Sequence, residues 1–513
     1  MVRALVLLTA VAAVFGFTDP LRADDQAGSI GSTPVTAPDG GLRRRAMFGA
    51  QFGSVSPDIQ QRQKLNDGHG LVIQRILPGT SAADAGFEVG DVILAVGGVD
   101  VPDFAAFLER MAGARAGDVV TFEVVRDGRR DERPVTLREM PREKGDGYDV
   151  LYASVTSHGA RLRTIVTRPA DGERHPAVLL LQGGHTCFPI DNAVGEPSGF
   201  MRIAQDLARH GYVTLRVERP GCGDSEGGPL RDVDFNVELD GYIEALRALK
   251  QLDSVDADQV YLFGHSMGGI MAPLIAVQSP VRGIVVYGTT ADTWFESVFA
   301  QRRRLAALDG TKPAEVDGEI LAQLRFFYPL IVERKTPLQI LETVPELPRR
   351  IWDAWVTDDR YVYGRRYSFY HQIADRNLTD AWSRVASTRL PAGADTPAAA
   401  VHPRVLSIWG TADWVGTRAA SAWIAEVVNR VQPGHGSFVA LDSIDHGFFR
   451  AATFEESYRY FQPGEGGPFG QFNPDILVVL RSWLAQSSGI ASNPDPPRPP
   501  RLRVKTPSSA PSA

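Results

Sequence analysis

The run Leu262-Phe-Gly-His-Ser-Met-Gly-Gly269 constrains this chain more than any other stretch. It follows a β-rich segment, Gln259-Val-Tyr-Leu-Phe263, and opens a helix-compatible one over 267–277. A serine at such a strand-to-helix junction, with glycine two residues before and two after, sits on a sharp turn. Gly264 and Gly268 let the strained backbone pass close to its neighbours, so the hydroxyl projects from the sheet edge. The helix N-terminus behind it offers unpaired N–H groups to a developing anion. In a chain with 50 glycines the pattern alone is a weak signal. Its flanks make Ser266 a candidate nucleophile rather than a solvated turn residue.

Length and charge bound the rest. At 513 residues the chain has room for two ordered domains. A net charge of −7 gives no electrostatic case for nucleic acid. No metal and no cofactor is expected. Met1-Val-Arg3 followed by an apolar run over 4–17 has the length and flanks of a signal peptide, here residues 1–23. Export to the periplasm or secretion follows, with no membrane span after cleavage. No cysteine follows the apolar run, so a lipid anchor is not expected. Residues 24–44 read as a linker rich in Gly, Ser, Thr, Pro and Asp. Residues 45–140 form a β-rich unit, 148–487 a long α/β unit, and 488–513 a Pro-rich disordered tail.

In the β-rich unit, Gly70-Leu-Val-Ile-Gln-Arg-Ile-Leu-Pro-Gly-Thr-Ser-Ala-Ala-Asp-Ala-Gly-Phe87 leads into Val89-Gly-Asp-Val-Ile-Leu-Ala-Val-Gly-Gly98. A helix over 103–112 and Gly117-Asp-Val-Val-Thr-Phe-Glu-Val-Val-Arg-Asp-Gly128 follow. Together they resemble a PDZ domain of the bacterial periplasmic type. The resemblance implies capture of protein C-terminal peptides by strand addition, with backbone N–H groups holding the carboxylate. Met47-Phe48-Gly49-Ala50 occupies the place of the carboxylate loop, so the resemblance carries that role to Phe48, Gly49 and Ala50.

The α/β unit alternates strands and helices, which implies a mostly parallel sheet with helices on both faces. Ala177-Val-Leu-Leu-Leu181 is continuously apolar, as a strand buried on both faces requires. With the Ser266 motif, this unit resembles an α/β-hydrolase along nearly its whole length. In that fold the chain order is serine, acid, histidine. Val405-Leu-Ser-Ile-Trp-Gly-Thr-Ala-Asp413 is a strand and a loop with an acid. Ser437-Phe-Val-Ala-Leu-Asp-Ser-Ile-Asp-His446 is a strand and a loop with histidine. The resemblance therefore implies Ser266 as nucleophile, His446 as base and Asp413 as the acid that orients it. Asp445 is too close in sequence to orient His446, and Asp442 reads as still within its strand. His402 and His435 precede strands and belong at the other end of the sheet.

Acyl transfer also needs donors for the tetrahedral oxyanion. The resemblance implies the N–H of Met267 and one from Gln182-Gly183-Gly184-His185, with Gly184 favoured over Gly183. His185, near that loop, and His265, beside the serine but unable to face it easily, are candidate substrate-binding residues. Arg219-Pro-Gly-Cys-Gly-Asp-Ser-Glu-Gly227 matches the R-G-x-G-x-S-x-G loop of the superfamily. It brings Cys222 near Cys187 on adjacent loops, where a disulfide would fix the oxyanion loop. Residues 290–400 read as an aromatic-rich helical lid. Most of its aromatics are expected in the lid core and some against an apolar pocket. These features imply an exported serine hydrolase acting through an acyl-enzyme on a small-molecule ester. A serine aminopeptidase or other peptidase of the same fold is the rival within that chemistry. A non-catalytic PDZ scaffold with a retired hydrolase fold is the rival outside it.

Overall fold

A computed structural model describes residues 41–188, 190–191, 196–391, 401–460 and 470–488. The signal peptide, most of the linker, part of the lid (392–400) and the tail beyond Ser488 lie outside the described residues.

The first unit is an antiparallel sheet in the order Ala50–Ser54, Leu71–Ile76, Val92–Val96, Val119–Arg126, Arg129–Thr136. Asp127 and Gly128 both have positive φ (51° and 75°), the geometry a two-residue hairpin turn needs. The Gly90-Asp91 turn is fixed by Arg126, which donates from Nε to Asp91 Oδ1 (2.6 Å) and from Nη2 to Oδ2 (2.7 Å). Phe48, Phe87, Phe107 and Phe122 fill the core beneath the sheet.

The main sheet of the second unit has eight strands among the described residues: β1 (Tyr148–Ser157), β2 (Ala160–Pro169), β3 (His175–Leu181), β4 (Val213–Val217), β5 (Val255–His265), β6 (Gly283–Tyr287), β7 (Arg404–Gly410) and β8 (Gly436–Leu441). Their order is β8-β7-β6-β5-β3-β4-β2-β1. Strands β3 to β8 run parallel, and β1 and β2 form an antiparallel hairpin on one edge. The central strands are apolar throughout because both faces are covered. One face packs on α1 (Gly199–Arg209) and the C-terminal helix Asp475–Ser488. The other packs on α2 (Phe235–Lys250) and α3 (Met267–Gln278). From β3 the chain moves one way to β4 and then back across to β5. Loops at the C-terminal ends of β3 and β5 therefore diverge and leave a crevice.

Between β6 and β7 lie α4 (Trp294–Leu308), α5 (Pro313–Ile331), shorter helices and a small sheet ending at Arg365–Arg366. The insertion is shorter than the 290–400 expected. Helix Leu378–Ser387 packs on α3 and on Arg418–Val431, and its Trp382 is wholly buried, so it belongs to the main layers.

Two connecting stretches are not free linkers. Leu42 and Arg44, within the expected 24–44 linker, are buried, and Arg44 ion-pairs with Asp191 and Asp224 of the second unit. Glu143, between the units, is buried against Arg216 on β4 (2.8 Å). The C-terminal helix also runs to Ser488, one residue into the expected tail.

Candidate active site

Strand β5 ends at His265 and α3 begins at Met267, so Ser266 alone makes the turn. Its φ of 52° and ψ of −116° are strained for a residue with a Cβ. The turn is held by Ser266 N–H donating to Tyr287 O (2.9 Å) and by Thr289 Oγ1 donating to Ser266 O (2.9 Å). The motif's glycines are required by close approach. A Cβ on Gly264 would lie 2.7 Å from Gly268 O, and one on Gly268 would lie 2.2 Å from Leu181 O.

Asp413, on the loop after β7, is fully buried. Its Oδ1 accepts from the N–H groups of Val415 and Gly416 (both 2.9 Å), and its Oδ2 lies 3.0 Å from His446 Nδ1. Burial opposes ionisation of Asp413, but the His446 charge and hydrogen bond and the two N–H groups outweigh it and hold the carboxyl below its usual range. Burial likewise favours a neutral His446 ring, yet Asp413 outweighs it and raises the imidazole above its ordinary value. With Nδ1 engaged, Nε2 is the nitrogen left for proton transfer. Gly288 (φ +60°) lies behind the pair. A Cβ there would sit 2.7 Å from Asp413 Oδ2 and 2.8 Å from His446 Nδ1.

The neighbouring acids do other work. Asp445 accepts from Gly447 N, Phe449 N and Ser457 Oγ, shaping the His446 loop, and burial pushes it up to about 6. Asp442 lies just past the end of β8 and is exposed, not within the strand as its sequence context implied. His402 Nε2 meets Gln432, and His435 Nδ1 meets Pro403 O, both at the start of β7 and β8.

The loop after β3 is clamped from one side. Arg219, buried, donates to the carbonyls of Gly183 (3.1 Å), Gly184 (2.9 Å) and Thr186 (2.6 Å). No described peptide bond is cis, so the Gly184 N–H points opposite to the Gly183 carbonyl and away from Arg219. A Cβ on Gly183 would lie 2.7 Å from Ser266 Cβ, which measures how tightly loop and serine abut. Cys187 and Cys222 are joined as a disulfide between the two loops.

Ser266, Met267, Gly183, Gly184 and His446 line one cavity of about 390 Å³. Trp294, Val298, Trp355 and Tyr363 of the insertion supply much of its apolar wall, whereas Phe326, Phe327 and Phe369 are buried in the insertion's core. His185 also lines the cavity, ringed by Tyr363 (4.8 Å) and Tyr370 (5.9 Å). Burial and the nearby Arg365 and Arg219 push it down to about 3, so it is neutral. His265 lines the cavity too. Its Nε2 lies 2.8 Å from the His446 carbonyl, and its ring packs on His446 and Phe448. It thereby steadies the His446 loop.

In the first unit, the carbonyls of Met47, Phe48 and Gly49 accept from Ser81 Oγ (2.5 Å), Ala82 N (2.9 Å) and Leu77 N (2.9 Å). The N–H groups of Phe48, Gly49 and Ala50 are thereby turned to the opposite side. The Phe48 ring is a core residue, stacked on Phe122 (4.7 Å), so only its backbone is available to a ligand. Among the described residues, strand Ala50–Ser54 pairs only with Leu71–Ile76, and nothing pairs with its outer edge.

A family model for the alpha/beta hydrolase fold matches residues 176–437, more than half of the chain. The chain belongs to the alpha/beta hydrolase fold family. A second model, for the PDZ domain, matches residues 47–137. A probable periplasmic serine endoprotease DegP-like of Ectopseudomonas mendocina is 26% identical over 199 residues, 34% of this chain and 41% of that protein. Esterase EstD of Thermotoga maritima is 28% identical over 160 residues, 31% of this chain and 38% of that protein. The chain thus spans about two fifths of the length of these relatives. Est1E of Butyrivibrio proteoclasticus, solved with ferulic acid, is 17% identical, with a TM-score of 0.36 over 57% of this chain and 90% of its own.

Within this alpha/beta hydrolase, two residues at the site escaped the sequence reading. Arg219 was visible only as the start of a loop motif, and Gly288 carried no motif. An arginine two residues past a buried strand was the available signal for the first. Among the described residues no cluster could hold a metal ion, and no helix is long and apolar enough to cross a membrane.

Proposed function

We propose that this alpha/beta hydrolase is an exported serine hydrolase that cleaves carboxylic esters through an acyl-enzyme. The observation that carries the reading is the 3.0 Å Asp413–His446 contact on the wall of the cavity that Ser266 enters from a strained turn. His446 Nε2 takes the Ser266 proton as Oγ attacks the ester carbonyl. The N–H groups of Met267 and Gly184 stabilise the oxyanion. Collapse expels the alcohol with the proton from His446. Water, deprotonated by the same nitrogen, then releases the acid and restores Ser266. The apolar cavity wall and the EstD likeness support esters. The PDZ domain and the DegP-like relatives support peptides as the second reading. Those relatives are named periplasmic, in keeping with the apolar N-terminal run.

A fluorophosphonate probe should label the native full-length protein once, with mass spectrometry placing the adduct on Ser266. Absence of labelling would return the chain to the non-catalytic scaffold reading. For the PDZ domain, the outward N–H groups of Phe48, Gly49 and Ala50 support carboxylate capture. Calorimetric titration with a C-terminal peptide and with its amide should show at least about tenfold weaker binding of the amide, the ~1.5–3 kcal/mol of a charge-assisted hydrogen bond. Equal affinities would rule the role out.

A further inference from the structure

The segment that leads into the PDZ domain reaches the loops around the catalytic centre. Arg44, with a side chain 3% exposed, places its guanidinium between two buried carboxylates. Nη2 pairs with Asp191, and Nη1 donates to Asp224 Oδ2 at 2.9 Å. Asp191 follows the loop that begins at Gln182 and carries Gly183, Gly184 and Cys187. Asp224 belongs to the loop that carries Arg219 and Cys222. Arg44 thus bridges the same two loops that Arg219 and the disulfide join nearer the serine.

Its other bonds tie in both ends of the PDZ domain. Arg44 Nε donates to Met140 O (3.0 Å) and Nη2 to Pro141 O (2.7 Å), on the exit from that domain. The neighbouring Arg45 donates from its backbone to Asp224 Oδ1 (2.8 Å) and from Nη2 to Asp191 Oδ1 (2.5 Å). Tyr152 (2.8 Å) completes Asp191, and Arg163 Nε (3.0 Å) completes Asp224. Glu218, also buried beside them, accepts from Asp224 N–H (2.7 Å), and burial pushes its carboxyl up to about 7, so the charge the arginines balance is that of Asp191 and Asp224.

We propose that Arg44 is a positioning residue for hydrolysis, holding Asp191 and Asp224 together and through them the loop that presents the Gly184 N–H to the oxyanion. The proposal rests on the serine-hydrolase reading above. A lysine in its place reaches one carboxylate but cannot fork to two. The outer brace would then rest on Arg45 alone, while Ser266, His446 and Asp413 stay in place.

The test compares full-length wild type with Arg44→Lys and with the isosteric Asp191→Asn, which weakens the same contact from the other side. Each is assayed for kcat and KM on a p-nitrophenyl ester and for inhibition by phenylboronic acid, whose tetrahedral adduct reports on the oxyanion donors. Arg44→Lys should lower kcat by about 100-fold, the cost of roughly 1 Å misplacement at a reacting centre. KM should stay within about twofold, and the boronate inhibition constant should rise in parallel with the loss in kcat. A purely structural role would lower the denaturation midpoint and leave kcat and boronate affinity unchanged well below it. That result in either variant would overturn the proposal. Failure of the underlying reading is distinguishable, because wild type itself would then neither take the fluorophosphonate nor be inhibited by the boronate.

Discussion

Ser266→Ala should lower kcat for ester hydrolysis by about 10⁶-fold, the loss seen when a triad nucleophile that works as a unit with its base is removed. In the proposed mechanism the hydroxyl oxygen is the atom that forms the acyl bond, and its proton is the one His446 would take. Alanine keeps the Cβ and meets the same backbone strain at φ 52°, so the fold should not respond. KM should stay near the wild-type value, because the cavity wall is untouched. Steady-state kinetics on a p-nitrophenyl ester, with the denaturation midpoint as control, gives the answer. A variant retaining a tenth of wild-type kcat would remove Ser266 from the mechanism.

Asp413→Asn should cost about 10⁴-fold in kcat, the effect of placing the imidazole proton on the wrong nitrogen. The geometry says why this isostere is severe here. Val415 and Gly416 donate to Oδ1, so an asparagine oxygen is retained at that position. Its NH₂ then faces His446 Nδ1 and turns that nitrogen into an acceptor. The proton moves to Nε2, which can no longer accept one from Ser266. The pH profile should shift as well. In the proposed mechanism His446 acts as a base when neutral, so kcat/KM should rise with pH through its pKa, which Asp413 lifts above the ordinary imidazole value against the effect of burial. Without that carboxylate, burial prevails and the acid limb of the variant's residual activity should move to lower pH. An unmoved limb would mean that His446 is not the titrating base.

How much of this could be read in advance depended on the range of the interaction. The sheet was legible because strands buried on both faces are continuous apolar runs, as Val178 to Leu181 and Tyr261 to Phe263 are. Ser266, Asp413 and His446 could be nominated because each lies on a turn or loop after a strand of the sheet, and strand ends mark the crevice. Arg44 was hidden in a stretch whose Gly, Ser, Pro and Asp content argues for a solvated linker. Nothing local announces that two acids, 147 and 180 residues away, desolvate it. Gly288 was silent for a related reason, since its constraint is the space taken by Asp413 and His446. Helix Leu378–Ser387 was assigned to the lid because aromatic content cannot tell one buried surface from another.

Under the proposed serine mechanism, the backbone at Ser266 places catalysis and folding in opposition. A residue with a Cβ held at φ 52° and ψ −116° costs on the order of 1–3 kcal/mol, recovered from the surrounding contacts. Glycine would occupy the same turn without that penalty. Selection for stability alone would therefore drive position 266 toward glycine, and under the proposed mechanism selection for turnover would retain the serine. In such a lineage, loss of the activity would be accompanied by a gain in robustness, which makes the inactive state an easy one to enter and a costly one to leave.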